Sequence, residues 1–114
     1  MRRKVDFSGT PAQLTIFEQL VEERHSQDRQ WGGPEHDDEH TRREWLGFIE
    51  EHATRARKTI GRGQRVIDVD EYRRRLVVIA ALAVAAIEAH DRDMAYEKQR
   101  AELKEVRRRN KAGK

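Results

Sequence analysis

The 114 residues suffice for one domain with a modest core. Charged side chains make up 39% of the chain, against about 25% in ordinary globular proteins, a mix that favours helices with solvated faces. No cysteine is present, so disulfides and thiolate metal sites are excluded.

The net charge of +3 is unevenly placed. From Met94 to Lys114, eight Lys/Arg face three Glu, which puts the tail at +5 and leaves −2 for the body. The basic character therefore belongs to the tail, and nucleic acid is a candidate partner only through it. The opening MRRKVDFSGTPAQ lacks the apolar stretch of a secretory signal, so a cytoplasmic location is expected.

The first helix is predicted from Thr10-Pro11-Ala12-Gln13, an N-cap, a proline at the first helical position and a capping-box Gln. Leu14, Phe17 and Val21 follow at helical spacing, widened by Ile16 and Leu20. The helix should reach Gln27–Gln30 and stop before Gly32-Gly33-Pro34.

QWGGPEHDDEH, residues 30–40, is unusually loaded for a helix connector. His36, Asp37, Asp38 and His40 are of ligand type for a divalent ion, although their spacing matches no strong zinc pattern. Read with its neighbours, the segment is a capped loop closing a pocket. Trp31 would supply a stacking surface, Gly32-Gly33 close backbone approach, and His36 and Asp37 polar contacts.

Thr41-Arg42-Arg43-Glu44 is a second capping box. In the helix it opens, Trp45, Phe48, Ile49, His52, Ala53 and Ala56 form one face, and Glu44, Glu51, Arg55 and Lys58 another. Gly61-Arg62-Gly63 should end it. A short connector with strand-like Val66, Ile67 and Val69 follows, too isolated for a sheet. Asp68 with Glu71 can cap the third helix.

That helix holds LVVIAALAVAAI, Leu76 to Ile87, apolar on all sides. Twelve residues fall short of the ~20 a bilayer needs, so a buried central helix is expected and no membrane partner. Such a helix needs neighbours on more than one side, which points to a homo-oligomer completing the burial. The expected architecture is all-α: three core helices in residues 1–93 around the apolar third helix, then a charged helical or disordered extension over 94–114.

Arg24, Arg42, Arg43 and the Arg73–Arg75 run carry guanidinium groups suited to phosphate, and the free N–H groups of the helix opened by Thr41 point into the loop. No Walker A loop or GxGxxG is present, nor a Ser-His-Asp or Cys-His pattern. The candidate ligand-binding residues are Arg24, Gln27, Trp31, Gly32, Gly33, His36, Asp37, Arg42, Trp45, His52 and Arg74. Glu50, Glu51 and Asp38 are the candidate metal ligands. For Glu51 the competing reading is an ion pair with Arg55 at i, i+4.

ERHSQDRQWGGPEHDD, TRREWLGFIEEHATRA and YRRRLVVIAALAVAAIEAHDR together resemble small phage and bacterial proteins of the MazG-like all-α nucleotide pyrophosphohydrolase type, over roughly residues 18–92. The resemblance implies a homo-oligomeric helical bundle, located in the host cytoplasm if phage-encoded. It also implies Mg²⁺-dependent cleavage of a nucleoside triphosphate to monophosphate and pyrophosphate. Such proteins carry E-x-x-E on one helix and E-x-x-D on the next. Here Glu51 matches the first acid, but Thr54 stands at the second, and Arg75 and Val78 stand near the other two. Glu88 and Asp91 keep E-x-x-D spacing, but after the aliphatic run.

With the carboxylate pattern degraded, the expected function is binding of a phosphorylated nucleotide or cyclic-nucleotide signal without turnover, as in a phage sponge against host immune signalling. No cofactor is required in that reading. The alternatives are a Mg²⁺-dependent pyrophosphohydrolase and a structural or partner-binding helical protein.

Overall fold

The computed structural model describes residues 9–113; the opening MRRKVDFS, on which the secretory-signal expectation largely rests, lies outside them. All regular elements described are helical: α1 (Pro11–Trp31), α2 (Pro34–Asp37), α3 (Arg42–Arg57), a 3₁₀ turn (Arg62–Gln64) and α4 (Val69–Ala112). The chain is all-α, and an isolated antiparallel bridge between Ile60 and Val66 is what the strand-like connector forms.

Local chemistry starts each long helix where the sequence predicts. Thr10 and Gln13 form a reciprocal capping box, as do Thr41 and Glu44. The Asp68 carboxylate accepts from the Glu71 N–H at the start of α4. Helix α1 ends at Trp31 because Gly32 takes a left-handed conformation, φ 109°, and its N–H closes onto the Asp28 carbonyl. Gly33 is also left-handed, φ 74°. A Cβ on Gly33 would meet nothing within 4 Å, so this glycine serves the turn and not a close approach.

One helix end differs from expectation. Helix α3 stops at Arg57, short of Gly61, where the Thr59 hydroxyl donates to the Ala56 carbonyl at 2.6 Å in a buried turn. Helix α4 runs unbroken through residue 94 to Ala112, so the extension is continuous with the third core helix and takes the helical one of its two expected forms. Its outer half is laced by pairs one turn apart, Arg100–Glu97, Arg108–Glu105 and Arg109–Glu105, which support a solvated helix.

Helices α1 and α3 each pack against α4. The core is Trp45 and Ala56 from α3 with Val78, Ala81 and Ala85 from α4. Ala81 and Ala85 are fully enclosed, so the small side chains let the helix backbones approach closely. The apolar stripe of α1 is not buried in the single chain: Leu14, Ile16, Phe17 and Val21 are exposed, and Leu20 is half-buried. One contact that ties α1 to α4 is polar, Arg73 donating to Gln19 at 2.7 Å. The far side of α4 is likewise open at Leu76, Ala80 and Ile87. No helix among the described residues is long and apolar enough to cross a membrane.

Candidate functional site

Where α1, the α2 turn, α3 and the start of α4 meet lies a cleft of about 630 Å³. That volume falls in the ~300–1,000 Å³ range of small-ligand sites. Of the sequence-predicted residues, Arg24, Gln27, Trp31, His36, Asp37, Trp45, His52 and Arg74 all line it. Glu51 lines it too, from the charged edge of α3.

On α1, Arg24 is the organising group. It donates to Gln27 at 3.1 Å, to Asp28 at 3.2 Å and across to Asp37 at 3.3 Å. The Asp37 and Arg24 side chains are 10% and 12% exposed, so this pair is largely withdrawn from water. It ties the α2 turn to α1.

A run of aromatic rings follows. His36 stacks on Trp31, ring centroids 6.2 Å apart and planes 17° apart. The next contacts are edge-to-face: His36 on His40, and His40 on both Trp45 and Phe48. Trp31 is 57% exposed and so does not belong to the core. Trp45 is 6% exposed, and its indole N–H has no hydrogen-bond partner among the described residues. A buried donor left unmade costs about 1–3 kcal/mol.

From α4 comes Arg75, which donates to Glu71 at 2.5 Å and to His52 Nδ1 at 2.9 Å. Arginine can only donate, so Nδ1 must present its lone pair and the His52 proton sits on Nε2. Burial first, and then the charge of Arg75, lower the His52 pKa from its ordinary value. The unfolded chain therefore holds more protons than the folded one between the ordinary value, 6.5, and the lower folded one. Stability from this group is complete above about pH 6.5 and is lost as pH falls toward the folded value. Denaturant melts at about pH 7.5 and 5.5 should show a loss on acidification that is smaller in His52→Asn. The Asn carbonyl can accept from Arg75 but does not titrate.

The remaining predicted residues are placed elsewhere. Arg42 binds Asp93 at 2.8 Å and Asp38 takes Arg92 at 2.8 and 2.9 Å, both beside a second cleft of about 600 Å³ on the other side of Trp45. The Asp38 hydrogen bonds raise the Arg92 pKa further, so Arg92 stays charged. Gly32 and Gly33 shape the turn without lining the main cleft. The N–H of Thr41 is taken by Glu44, so the cap partly fills the helix N-terminus read as an anion site. That backbone bond, then the Thr41 hydroxyl, lower the Glu44 pKa.

The three predicted metal ligands are not gathered into one group. Glu50 is exposed, Glu51 pairs with Arg55 at 2.7 Å, and Asp38 pairs with Arg92. Among the described residues no set of three or more His, Asp or Glu side chains is placed to hold an ion.

The candidate site residues omit five polar residues of the cleft, Glu23, Gln30, His40, Arg55 and Arg75. Arg55 is expected only on the charged face of the helix, as the ion-pair partner of Glu51. Arg75 belongs to the Arg73–Arg75 run expected to suit phosphate, but the resemblance also puts it near the position of an acid. Its signal is helical phase, since Arg75 lies three residues before buried Val78 and shares its face. His40 precedes the Thr41 N-cap, and Trp45 is the fourth helical residue, the two positions that meet in a hydrophobic staple. Their rings are 5.2 Å apart.

No protein-family model, curated protein or solved structure matches this chain.

Proposed function

We propose that this protein binds a phosphorylated nucleotide or cyclic-nucleotide signal and releases it unchanged. The observation that carries the reading is one cleft with arginines on one part of its wall and an exposed tryptophan on another. Arg24, Arg74 and Arg75 can donate to phosphate oxygens, and Trp31 offers a face to a base. Arg74 is the most available of the three: its side chain is 68% exposed and its carboxylate partner, Glu71, is 3.9 Å away. The neutral His52, with its proton on Nε2, adds a donor that needs no charge.

Binding without turnover is favoured by how the carboxylates are used. Glu51 and Asp38 already neutralise arginines, and among the described residues neither belongs to a group of three or more His, Asp or Glu placed to hold an ion. This behaviour suits sequestration of a signal, the role a phage-encoded sponge against host immune signalling would need.

The same reading includes self-association. The chain exposes 9941 Å², against roughly 6,500 Å² expected for a compact monomer of its mass. Leu76, Ala80, Ala83 and Ile87 repeat at four-three-four spacing along the open side of α4, the pattern of a helix–helix seam. The α1 stripe offers a second surface to another copy.

Incubating the protein with nucleoside triphosphates and cyclic dinucleotides, with Mg²⁺ or Mn²⁺, tests the proposal. Light scattering on the same samples reads the mass of the assembly. One ligand should bind stoichiometrically and be recovered intact after heat denaturation. Arg74→Gln should weaken it about tenfold with no change in melting, because the side chain is exposed. Pyrophosphate release abolished by Glu51→Gln would establish the hydrolase instead. Absence of binding across the panel would leave a structural role.

A further inference from the structure

We infer that His36 and His40 form a two-histidine chelate for a borderline divalent transition ion such as Zn²⁺, Co²⁺ or Ni²⁺. Their Nε2 atoms converge to 3.2 Å. Two nitrogens on one tetrahedral zinc, each about 2.0–2.1 Å from it, stand about 3.3 Å apart. The separation therefore fits one ion bound by both rings. It also fits a single N–H···N hydrogen bond, which is how the metal-free pair is held.

The outer sides of the rings favour the chelate. His36 Nδ1 faces the Glu39 carboxylate at 3.9 Å, and His40 Nδ1 faces Glu44 at 3.8 Å. A metal-bound imidazole typically turns its other N–H toward a carboxylate, which fixes the tautomer and strengthens the ligand. Here a carboxylate stands on that side of each ring, just beyond hydrogen-bond distance. The Thr41 N–H binds the Oε1 oxygen of Glu44, and Oε2 is the one that faces His40. The capping box thus orients the carboxylate behind the ring. When the ion enters, the ring that donated through Nε2 moves its proton to Nδ1, where the carboxylate faces it. Both Nε2 lone pairs are then free to bind, and no proton needs to leave.

The backbone sets the spacing. The two histidines are four residues apart across the end of α2, where His40 N–H bonds the Asp37 carbonyl at 3.2 Å. Both line the cleft beside Trp31. No third His, Asp or Glu completes the set among the described residues, so the ion would keep positions open to water or to an oxygen of the cleft's ligand. Imidazole pairs suit zinc, cobalt and nickel, whereas Mg²⁺ demands oxygen ligands, so this site is distinct from a carboxylate Mg²⁺ cage.

Calorimetric titration of the full chain, stripped of metal, with Zn²⁺ and separately with Mg²⁺ tests the site. One equivalent of Zn²⁺ should bind and raise the melting temperature, while Mg²⁺ should do neither. His36→Ala and His40→Ala should each weaken Zn²⁺ at least tenfold. Glu44→Gln, which keeps an amide able to complete the cap, should weaken it about tenfold or more at unchanged metal-free stability. Unaltered Zn²⁺ binding in the double histidine variant, or no Zn²⁺ binding to the native chain, would overturn the inference. Nucleotide binding is measured separately in the presence of a chelator. Ligand binding there with no Zn²⁺ site sinks the chelate alone, and Zn²⁺ binding with no nucleotide sinks the proposed function alone.

Discussion

Trp45→Ala should lower stability by about 3–5 kcal/mol, the range for deleting a large aromatic from a core. Trp45 is the one large side chain in a buried set otherwise made of Ala56, Val78, Ala81 and Ala85. Those small residues cannot move far enough to fill the space, because α3 and α4 are already close where the alanines meet them. The loss should reach beyond the core. His40 and Phe48 each rest an edge or face on Trp45, at 5.2 and 5.9 Å between centroids, so both would lose their support. Trp45→Phe separates the two roles: it should restore most of the stability but not the indole N–H. Chemical denaturation reads the first effect, and ligand affinity of the Phe variant reads the second. A Trp45→Ala protein as stable as the native chain would mean that the core lies elsewhere.

Asp37→Leu should cost about 2–3 kcal/mol, because it leaves the Arg24 guanidinium largely buried with one carboxylate fewer. The cost stays below that of a fully orphaned charge because Asp28 still accepts from Arg24 at 3.2 Å. The paired change Arg24→Met/Asp37→Leu removes the charge as well as its partner, and should return stability to within about 1 kcal/mol of native. It should not return ligand binding, since it deletes a phosphate donor and the tie between the α2 turn and α1. Equal stability losses in the single and double variants would mean that the pair does not couple the turn to α1.

These two residues show how the chain's information divides. Trp45 is legible in the sequence: a capping box fixes where α3 begins, and helical periodicity then places Trp45, His52 and Ala56 on one face. The Glu51–Arg55 pair is legible for the same reason, since four residues along a helix always bring side chains together. The left-handed turn at Gly32-Gly33 is equally local. Arg24–Asp37 is not legible. It joins residues thirteen positions apart across a reversal of the chain, and many turns would have been compatible with the same glycines. Likewise the tie of Asp38 to Arg92, and of Arg42 to Asp93, spans more than fifty residues. Both groups read as possible ligand contacts until the position of α4 gives each an ion-pair partner.

The aliphatic run of α4 is the intermediate case. Its apolar character marks it as the helix around which others pack, and α1 and α3 do pack on it. Which of its faces is covered depends on where those helices land. Val78, Ala81 and Ala85 are enclosed, whereas Leu76 and Ile87 stay open. The exposed stripe of α1 has the same origin: periodicity shows that a face is apolar but not what it meets.

By itself the sequence determined the helical class, the three capped helix starts, the glycine turn and the face that α3 buries, because each rests on hydrogen bonds and spacings within a few residues. Tertiary structure alone decided that Arg75 donates to His52, that Asp37 meets Arg24, and that Asp38 pairs with Arg92. Those outcomes depend on the docking of α1 and α3 on α4, where packing of distant side chains, and not local propensity, sets which groups share a cleft.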